Sequence, residues 1–250
     1  MEKIMNNLKQ KIDFLLKTLI TFVSSYEGES LKAHYYQYNG ILNRLGLLRR
    51  SFELFFPALE KLPENDFECE TVNVMLNSIY LHIRGILDNT AWLIYYELNL
   101  QNLKIPRDID FTGNKYLRAI QVNANLNKTI EEYAEWMKEL KEKREPIAHR
   151  LPLYIPAKFI DNEEEVNKAL SLKEKADQKR NNNDESWVQD EFSAMSVGKF
   201  KPIIINLDAE RKQGKIYLIL PEIEKDIENF SKFISKIFSE MKLIASKKSN

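Results

Sequence analysis

The chain has 250 residues with 37 basic and 37 acidic side chains, so it lacks the overall basic field of a nonspecific nucleic-acid binder. Apolar residues make up 44% of the chain and charged residues 30%, which is typical of a folded globular protein and excludes a disordered one. Seven glycines and eight prolines are too few turn residues for a sandwich or barrel of many strands. We therefore expect a single helical domain over residues 1–250.

Several classes of site are excluded by residue counts and spacing. Cys69 is the only cysteine, which excludes an intramolecular disulfide and a cysteine-based zinc site. His34 and His82 have no metal-ligand spacing, and no glycine-rich phosphate loop is present, so we expect neither a metal nor a cofactor. No run of about 18 uncharged apolar residues occurs, and the first residues lack the pattern of a secretory signal. We therefore expect no membrane association and a cytoplasmic protein.

Apolar residues at helical spacing predict three long helices in the first hundred residues, over 3–26, 31–56 and 70–99. Pro57 and Pro63 predict a loop between the second and the third. The third helix ends in AWLIYY, which is apolar on nearly all sides, so we expect it to be the central, most buried helix. Its apolar stripe is Val72, Leu76, Ile79, Ile83, Leu87, Ala91 and Ile94.

The next part of the chain is predicted to form a loop over 101–115 and a clear helix over 128–144. Pro146, Pro152 and Pro156 then follow too closely for a regular helix, so we expect the helical pattern to break after residue 144.

The last third of the chain changes character twice. Residues 161–190 are charged and Asn-rich, which predicts a partly mobile surface excursion with one helix over 163–178. Two β-branched runs within 201–220 flank a polar turn, which predicts a β-hairpin, and a final helix follows over 221–244. The predicted fold class is thus mainly α, a helical bundle with a small β-hairpin before the C-terminal helix.

The break in the helical pattern carries the sequence's one short motif, Arg-Glu-Pro-Ile-Ala-His-Arg over 144–150. Arg144 continues an apolar stripe, where a long charged side chain is unexpected unless it has a specific role. Five residues separate Arg144 from His149, which places the two about 140° apart around an ideal helix. We expect Pro146 to kink the chain and bring both side chains to the same site.

The spacing of Arg144 and His149, with polar Glu145 after the arginine, resembles the R-x4-6-H motif of the HEPN superfamily. The wider phrase AHRLPLYIP resembles a bacterial family of about this length that is grouped with the HEPN domains. RGILDNTAWLI over 84–94 and the ending of a hairpin followed by a helix fit the same resemblance. The resemblance implies a helical-bundle homodimer with an Arg144/His149 site at the dimer interface, and endoribonuclease activity without a metal.

The two residues suit that chemistry. Histidine can take the proton of a ribose 2′-OH or supply one to the leaving oxygen, because its ordinary pKa lies near neutrality. Arginine can bind phosphate oxygens in bidentate fashion as negative charge builds. We expect Glu145 and Arg150 to support the pair. Asp88 and Asn89, on the central helix, are expected to hold the motif loop in place.

Other interpretations stay open at this point. Arg144 can cap its helix, which is worth about 0.3–1 kcal/mol, while His149 bonds a loop carbonyl. Arg84 and Asp88, four residues apart, are more simply an ion pair than part of a site. The alternative function is a noncatalytic helical dimer that binds RNA, a nucleotide or a protein partner, and a purely structural role needs no site at all. A toxin role would add an antitoxin-like protein as partner.

Overall fold

The computed structural model describes residues 2–61, 63, 66–100, 103, 105–149, 152–208 and 213–248. Within these ranges the side chains of residues 2, 66, 67, 144–149, 207, 208, 213 and 248 are not described. The helices in chain order are α1 (Glu2–Ser24), α2 (Leu31–Tyr35), α3 (Asn43–Glu60), α4 (Asp66–Glu97), α5 (Asn114–Ile120), α6 (Ala124–Glu132), α7 (Ala134–His149), α8 (Glu163–Asn181), α9 (Trp187–Met195) and α10 (Ile219–Lys248). Strands β1 (Ile203–Asp208) and β2 (Gln213–Leu218) form an antiparallel hairpin directly before α10. The predicted fold class is confirmed.

The central position of α4 follows from its apolar stripe. Every residue of the predicted stripe is buried in the main hydrophobic core. α3 runs antiparallel along α4, because the hydroxyls of Ser51 and Ser78 lie 3.0 Å apart and the Arg44 guanidinium packs beside Gly85. The prediction of α4 as the central helix is confirmed.

The C-terminal helix α10 is the second organising element. It runs parallel to α1, since Lys11 pairs with Glu224 near one end and Lys242 donates to Ser25 Oγ near the other. Its inner face is mostly aromatic and aliphatic, with Asp226 as a buried charge, and the apolar residues of that face are Ile223, Ile227, Phe230, Phe233, Ile234, Ile237, Phe238 and Met241. The helix predicted over 221–244 is therefore present and slightly longer at both ends.

The segment predicted as a helix over 31–56 is helical but not uniform. A π-helical stretch, Tyr36–Leu42, joins α2 to α3. Gly40 in this stretch lies against Asn89 of α4, where an added Cβ atom would be 2.6 Å from the Asn89 Cγ. α3 continues through Pro57 to Glu60, so the loop predicted to start at Pro57 is wrong at that end. Pro57 lacks the N–H that would bond the carbonyl four residues earlier, and α3 continues for only three residues beyond it.

The helix predicted over 128–144 is two helices. α6 ends at Glu132 and α7 begins at Ala134, on either side of Tyr133, whose φ of −106° and ψ of 8° interrupt the helix. Tyr133 and Trp136 both pack their rings on Phe233 of α10. α7 then runs antiparallel along α10 and continues to His149, beyond the predicted end.

Residues 163–195, which we call the arm, form a helical hairpin of α8 and α9 rather than one helix. Ala169, Leu172 and Ala176 are shielded from solvent at steps of three and four, a stripe with two alanines that a search for large apolar side chains overlooks. The chain enters and leaves the arm through a paired stalk, in which the backbones of Phe159 and Lys199 exchange hydrogen bonds of 2.9 and 3.2 Å. The two helices pack chiefly on each other.

The β-hairpin predicted over 201–220 is confirmed, with Ile203 opposite Leu218 and Asp208 opposite Gln213. Tyr154 adds a short antiparallel pairing to its outer edge by exchanging hydrogen bonds with Ile205. Among the helices of the described ranges, none has a stretch long and apolar enough to cross a membrane.

Candidate functional site at the end of α7

The last turns of α7 remain helical across Pro146. Proline at position 146 cannot donate to the carbonyl four residues earlier, which is that of Glu142. The side-chain amide of Asn206 on β1 donates to this carbonyl at 3.4 Å, and Lys215 on β2 pairs with the Glu142 carboxylate at 2.7 Å. The β-hairpin thus compensates for the proline from outside the helix. The expected break after residue 144 is wrong, since α7 continues to His149.

Lys143, which directly precedes the motif, is a buried cation. Its side chain is only 2% exposed and its Nζ atom pairs with Asp226 at 2.6 Å and with Glu222, both on α10. The same Nζ lies 5.4 Å from the ring centroid of Tyr80 and 5.3 Å from that of Tyr217. One side chain therefore ties α7 to α4, β2 and α10 at the position before Arg144.

Asp226 completes this buried network. It accepts a hydrogen bond of 2.9 Å from the Tyr80 hydroxyl and one of 3.0 Å from the Trp136 indole, in addition to the Lys143 ion pair. Burial, together with the Asp226 charge, raises the pKa of Tyr80 well above its ordinary value, so the phenol stays protonated as a donor. Every polar atom of the carboxylate thus has a partner, which is the condition for burying a charge.

Glu222 lies at the more open side of the network. Burial by itself raises the pKa of this carboxyl, but hydrogen bonds from Lys143 and Lys225 together outweigh burial and hold the pKa below its ordinary value. Lys225 also pairs with Glu139 of α7 at 3.0 Å. The network as described thus joins two lysines to three carboxylates.

The chain that follows the motif is held by two asparagines of α4. Asn77 accepts from the backbone N–H of Leu153 and donates to its carbonyl, at 3.1 and 3.0 Å. Asn73, one turn earlier, makes the same pair of bonds with Ile155, at 2.6 and 3.2 Å. The backbone of Tyr154 between them faces β1. Residues 153–155 are thus fixed on both edges, like a strand between two partners.

The residues predicted to carry the chemistry fall largely outside the description. Arg144, Glu145 and His149 are on α7, where the backbone is helical, but their side chains are not described, and Arg150 lies outside the described residues. That the side chains of Arg144 and His149 come together at one site stays a prediction.

Asp88 and Asn89 belong to a different cluster. Arg84, which is buried, pairs with Asp88 at 3.0 Å and with Asp110 at 2.7 Å, so the expected ion pair is present and extends to the loop before α5. Asn89 donates to the carbonyl of Gly85 at 2.7 Å and contacts the π-helical stretch. Both residues lie about three helical turns, roughly 16 Å, along α4 from Asn77. The observed holders of the segment after the motif are Asn73 and Asn77.

Lys143, Asp226 and the two asparagines are not among the site residues predicted from the sequence. A signal for Lys143 was present, because it follows the inward-facing Trp136 and Leu140 by seven and three residues. Asn73 and Asn77 are spaced by four residues beside the α4 stripe, which places them on one face, but nothing in the sequence connects that face to residues 153–155.

No group of three or more His, Cys, Asp or Glu side chains in the described part of the chain is arranged to hold a metal ion. Comparison of the chain with protein-family models, curated protein sequences and solved structures returned no match.

Proposed function

We propose that the chain is a HEPN-like, metal-independent endoribonuclease of single-stranded RNA, with Arg144 and His149 as its catalytic residues. The supporting observation is that the chain is held by defined contacts both before and after the motif at the end of α7. Lys143 before the motif is locked by a buried ion network, and residues 153–155 after it are held by Asn73 and Asn77. A short segment fixed at both ends is suited to holding side chains in a defined geometry.

In this proposal His149 exchanges a proton with the 2′-OH or the leaving oxygen, and Arg144 neutralises the phosphate. α7 is helical through residue 149. Because the two positions are about 140° apart on an ideal helix, a site within one chain requires a distortion. A homodimer avoids it if each site takes Arg144 from one copy and His149 from the other.

The direct test is cleavage of single-stranded RNA by the purified protein in the presence of a chelator. The products should carry 2′,3′-cyclic phosphate ends, because the 2′-OH is the nucleophile. His149→Ala should lower the rate by roughly 10²–10⁴, and Arg144→Ala should cause a similar loss. Glu145→Ala should have a smaller effect. Arg50→Ala, which removes an exposed arginine of α3, is the matched control and should keep full activity.

Mixing the two inactive variants tests whether the site is shared. If Arg144 and His149 come from different copies, a mixed dimer of Arg144→Ala and His149→Ala regains one intact site, and the mixture should recover about one quarter of wild-type activity. If both residues act within one copy, mixing restores nothing.

The second candidate is a noncatalytic helical dimer that binds RNA, a nucleotide or a protein partner. The continuous helix through Pro146 favours it, because such a helix does not by itself direct residues 144 and 149 to one atom. Wild-type protein that cuts no RNA, while His149→Ala loses much of its stability, would establish a structural histidine and refute the ribonuclease proposal.

A further inference from the structure

The arm has an apolar side that none of the described residues of its own chain covers. Val166 and Leu170 on α8, and Val188, Phe192 and Met195 on α9, are all exposed, with Phe192 66% and Met195 59% accessible. The first two are spaced by four residues, and the other three by four and three, so each set occupies one face of its helix.

The two faces lie on the same side of the arm. Arg180, which is two heptads after Val166 and so close to it in angle around α8, packs on the Trp187 ring at 4.0 Å and pairs with Glu191. Arg180 and Trp187 also line an open depression of about 400 Å³ together with Val188, Phe192 and Met195. Single exposed apolar side chains are ordinary on protein surfaces, but the three α9 residues lie together around this depression on a projecting hairpin, which marks an interaction surface.

The charge of the arm indicates what covers that side. Residues 163–195 contain nine acidic and five basic side chains, so the rest of this neutral chain carries the matching excess of four positive charges. Two arms packed on each other would bring like charges together. An arm packed on the rest of another copy, which we call the body, brings opposite charges together. If each copy of a two-fold symmetric dimer packs its arm on the body of the other, both arms are used and the assembly ends at two copies.

We infer that the arm is a docking element that packs its apolar side on the body of a second copy of this chain. This inference rests on the exposure and charge of the arm and is independent of the ribonuclease proposal. Phe192, the most exposed of the five residues, is the anchor, as large aromatic side chains often are at interfaces.

Size-exclusion chromatography with light scattering, followed by sedimentation at several concentrations, tests the inference. Wild-type protein should be dimeric at tens of micromolar, and Phe192→Asp should weaken the dimer by at least about thirtyfold. Ser193→Asp adds the same charge at the next exposed position, away from the apolar side, and should leave the dimer unchanged. Both variants should keep the wild-type circular dichroism spectrum.

Cross-linking identifies the surface that the arm contacts. Dimers assembled from isotopically light and heavy copies, treated with a reagent that joins carboxylates to amines directly, should link arm carboxylates of one copy to lysines outside the arm of the other. A monomeric wild type, equal effects of Phe192→Asp and Ser193→Asp, or intermolecular links only between two arms would each overturn the inference. RNA cleavage is not a readout here, so this result and that of the ribonuclease test can fail separately.

Discussion

Lys143 is a single side chain whose charge is neutralised entirely inside the protein. Replacing it with methionine keeps much of its volume but leaves Asp226, which is 1% exposed, without its cation. We expect Lys143→Met to lower the free energy of unfolding by about 3–5 kcal/mol, as when one member of a buried ion pair is removed. Urea denaturation followed by circular dichroism measures the change.

The control for that experiment is an ion pair on the surface. Lys236 pairs with Glu132 at 2.7 Å, with both side chains about half exposed, so Lys236→Met should cost no more than about 1 kcal/mol. Combining Lys143→Met with Asp226→Leu should recover part of the loss, because no unpaired charge remains. An equal cost for Lys143→Met and Lys236→Met would contradict the buried network.

Glu222 gives the same network a pH dependence. Its pKa in the folded protein is held below the ordinary value of 4.5, so its ionised form stabilises the fold at neutral pH. That contribution is complete above the unfolded-state pKa and is lost as the pH falls through the lower folded-state pKa. Glu222→Gln should therefore be less stable than wild type near pH 7, and the difference should shrink by about pH 3. Denaturation of both proteins at the two pH values measures it, and a difference that grows with acidity would refute the assignment.

At the scale of elements, α7 depends on the β-hairpin. The Asn206 amide replaces the donor that Pro146 lacks, so the two residues should be energetically coupled. Asn206→Ala should destabilise the protein by about 0.5–1.5 kcal/mol, the usual net value of one hydrogen bond. In a Pro146→Ala background, where residue 146 can bond Glu142 itself, the same substitution should cost much less. A double-mutant cycle of unfolding free energies gives the coupling, and additive effects would mean that the amide does not compensate for the proline.

The same contact explains which elements could be predicted from the sequence. The α4 stripe and the β-hairpin depend on neighbouring residues, and both were predicted correctly. The α7 helix continues past Pro146 with a contact from Asn206, 64 residues further along the chain, which a local rule for proline does not include. In the same way, Asn73 and Asn77 hold residues that lie 76 or more positions away. For the candidate site, the sequence indicates the residue types at positions 144 and 149, but helical spacing alone does not establish how their side chains meet.

At the scale of the whole molecule, the arm and the body are joined mainly through a narrow stalk in the part of the chain that the structure describes. Phe159 and Lys199 are opposite each other and share two backbone hydrogen bonds, and Asp161 pairs with Lys201 beside them. Gly198 adopts a φ of +98°, and a Cβ there would lie 2.9 Å from the Phe159 carbonyl oxygen, so glycine is needed for the strands to approach. Phe159 and Lys199, where the body meets the arm, are thus as close together as two paired residues of a β-hairpin.

This geometry predicts that the body folds without the arm. Replacing residues 160–198 with Asn-Gly, the preferred two-residue turn between paired strands, should give a folded protein whose unfolding free energy is within about 2 kcal/mol of wild type. The core of α1, α3, α4, α7 and α10 contributes the main buried apolar surface, and the excised segment contributes only Ala176 and Val197 to the buried apolar residues. The m-value, which is the slope of the unfolding free energy against denaturant concentration, should fall because less surface is exposed on unfolding. The transition should stay cooperative. An excised protein that is aggregated, or that has no cooperative transition, would show that the arm is part of the folding unit.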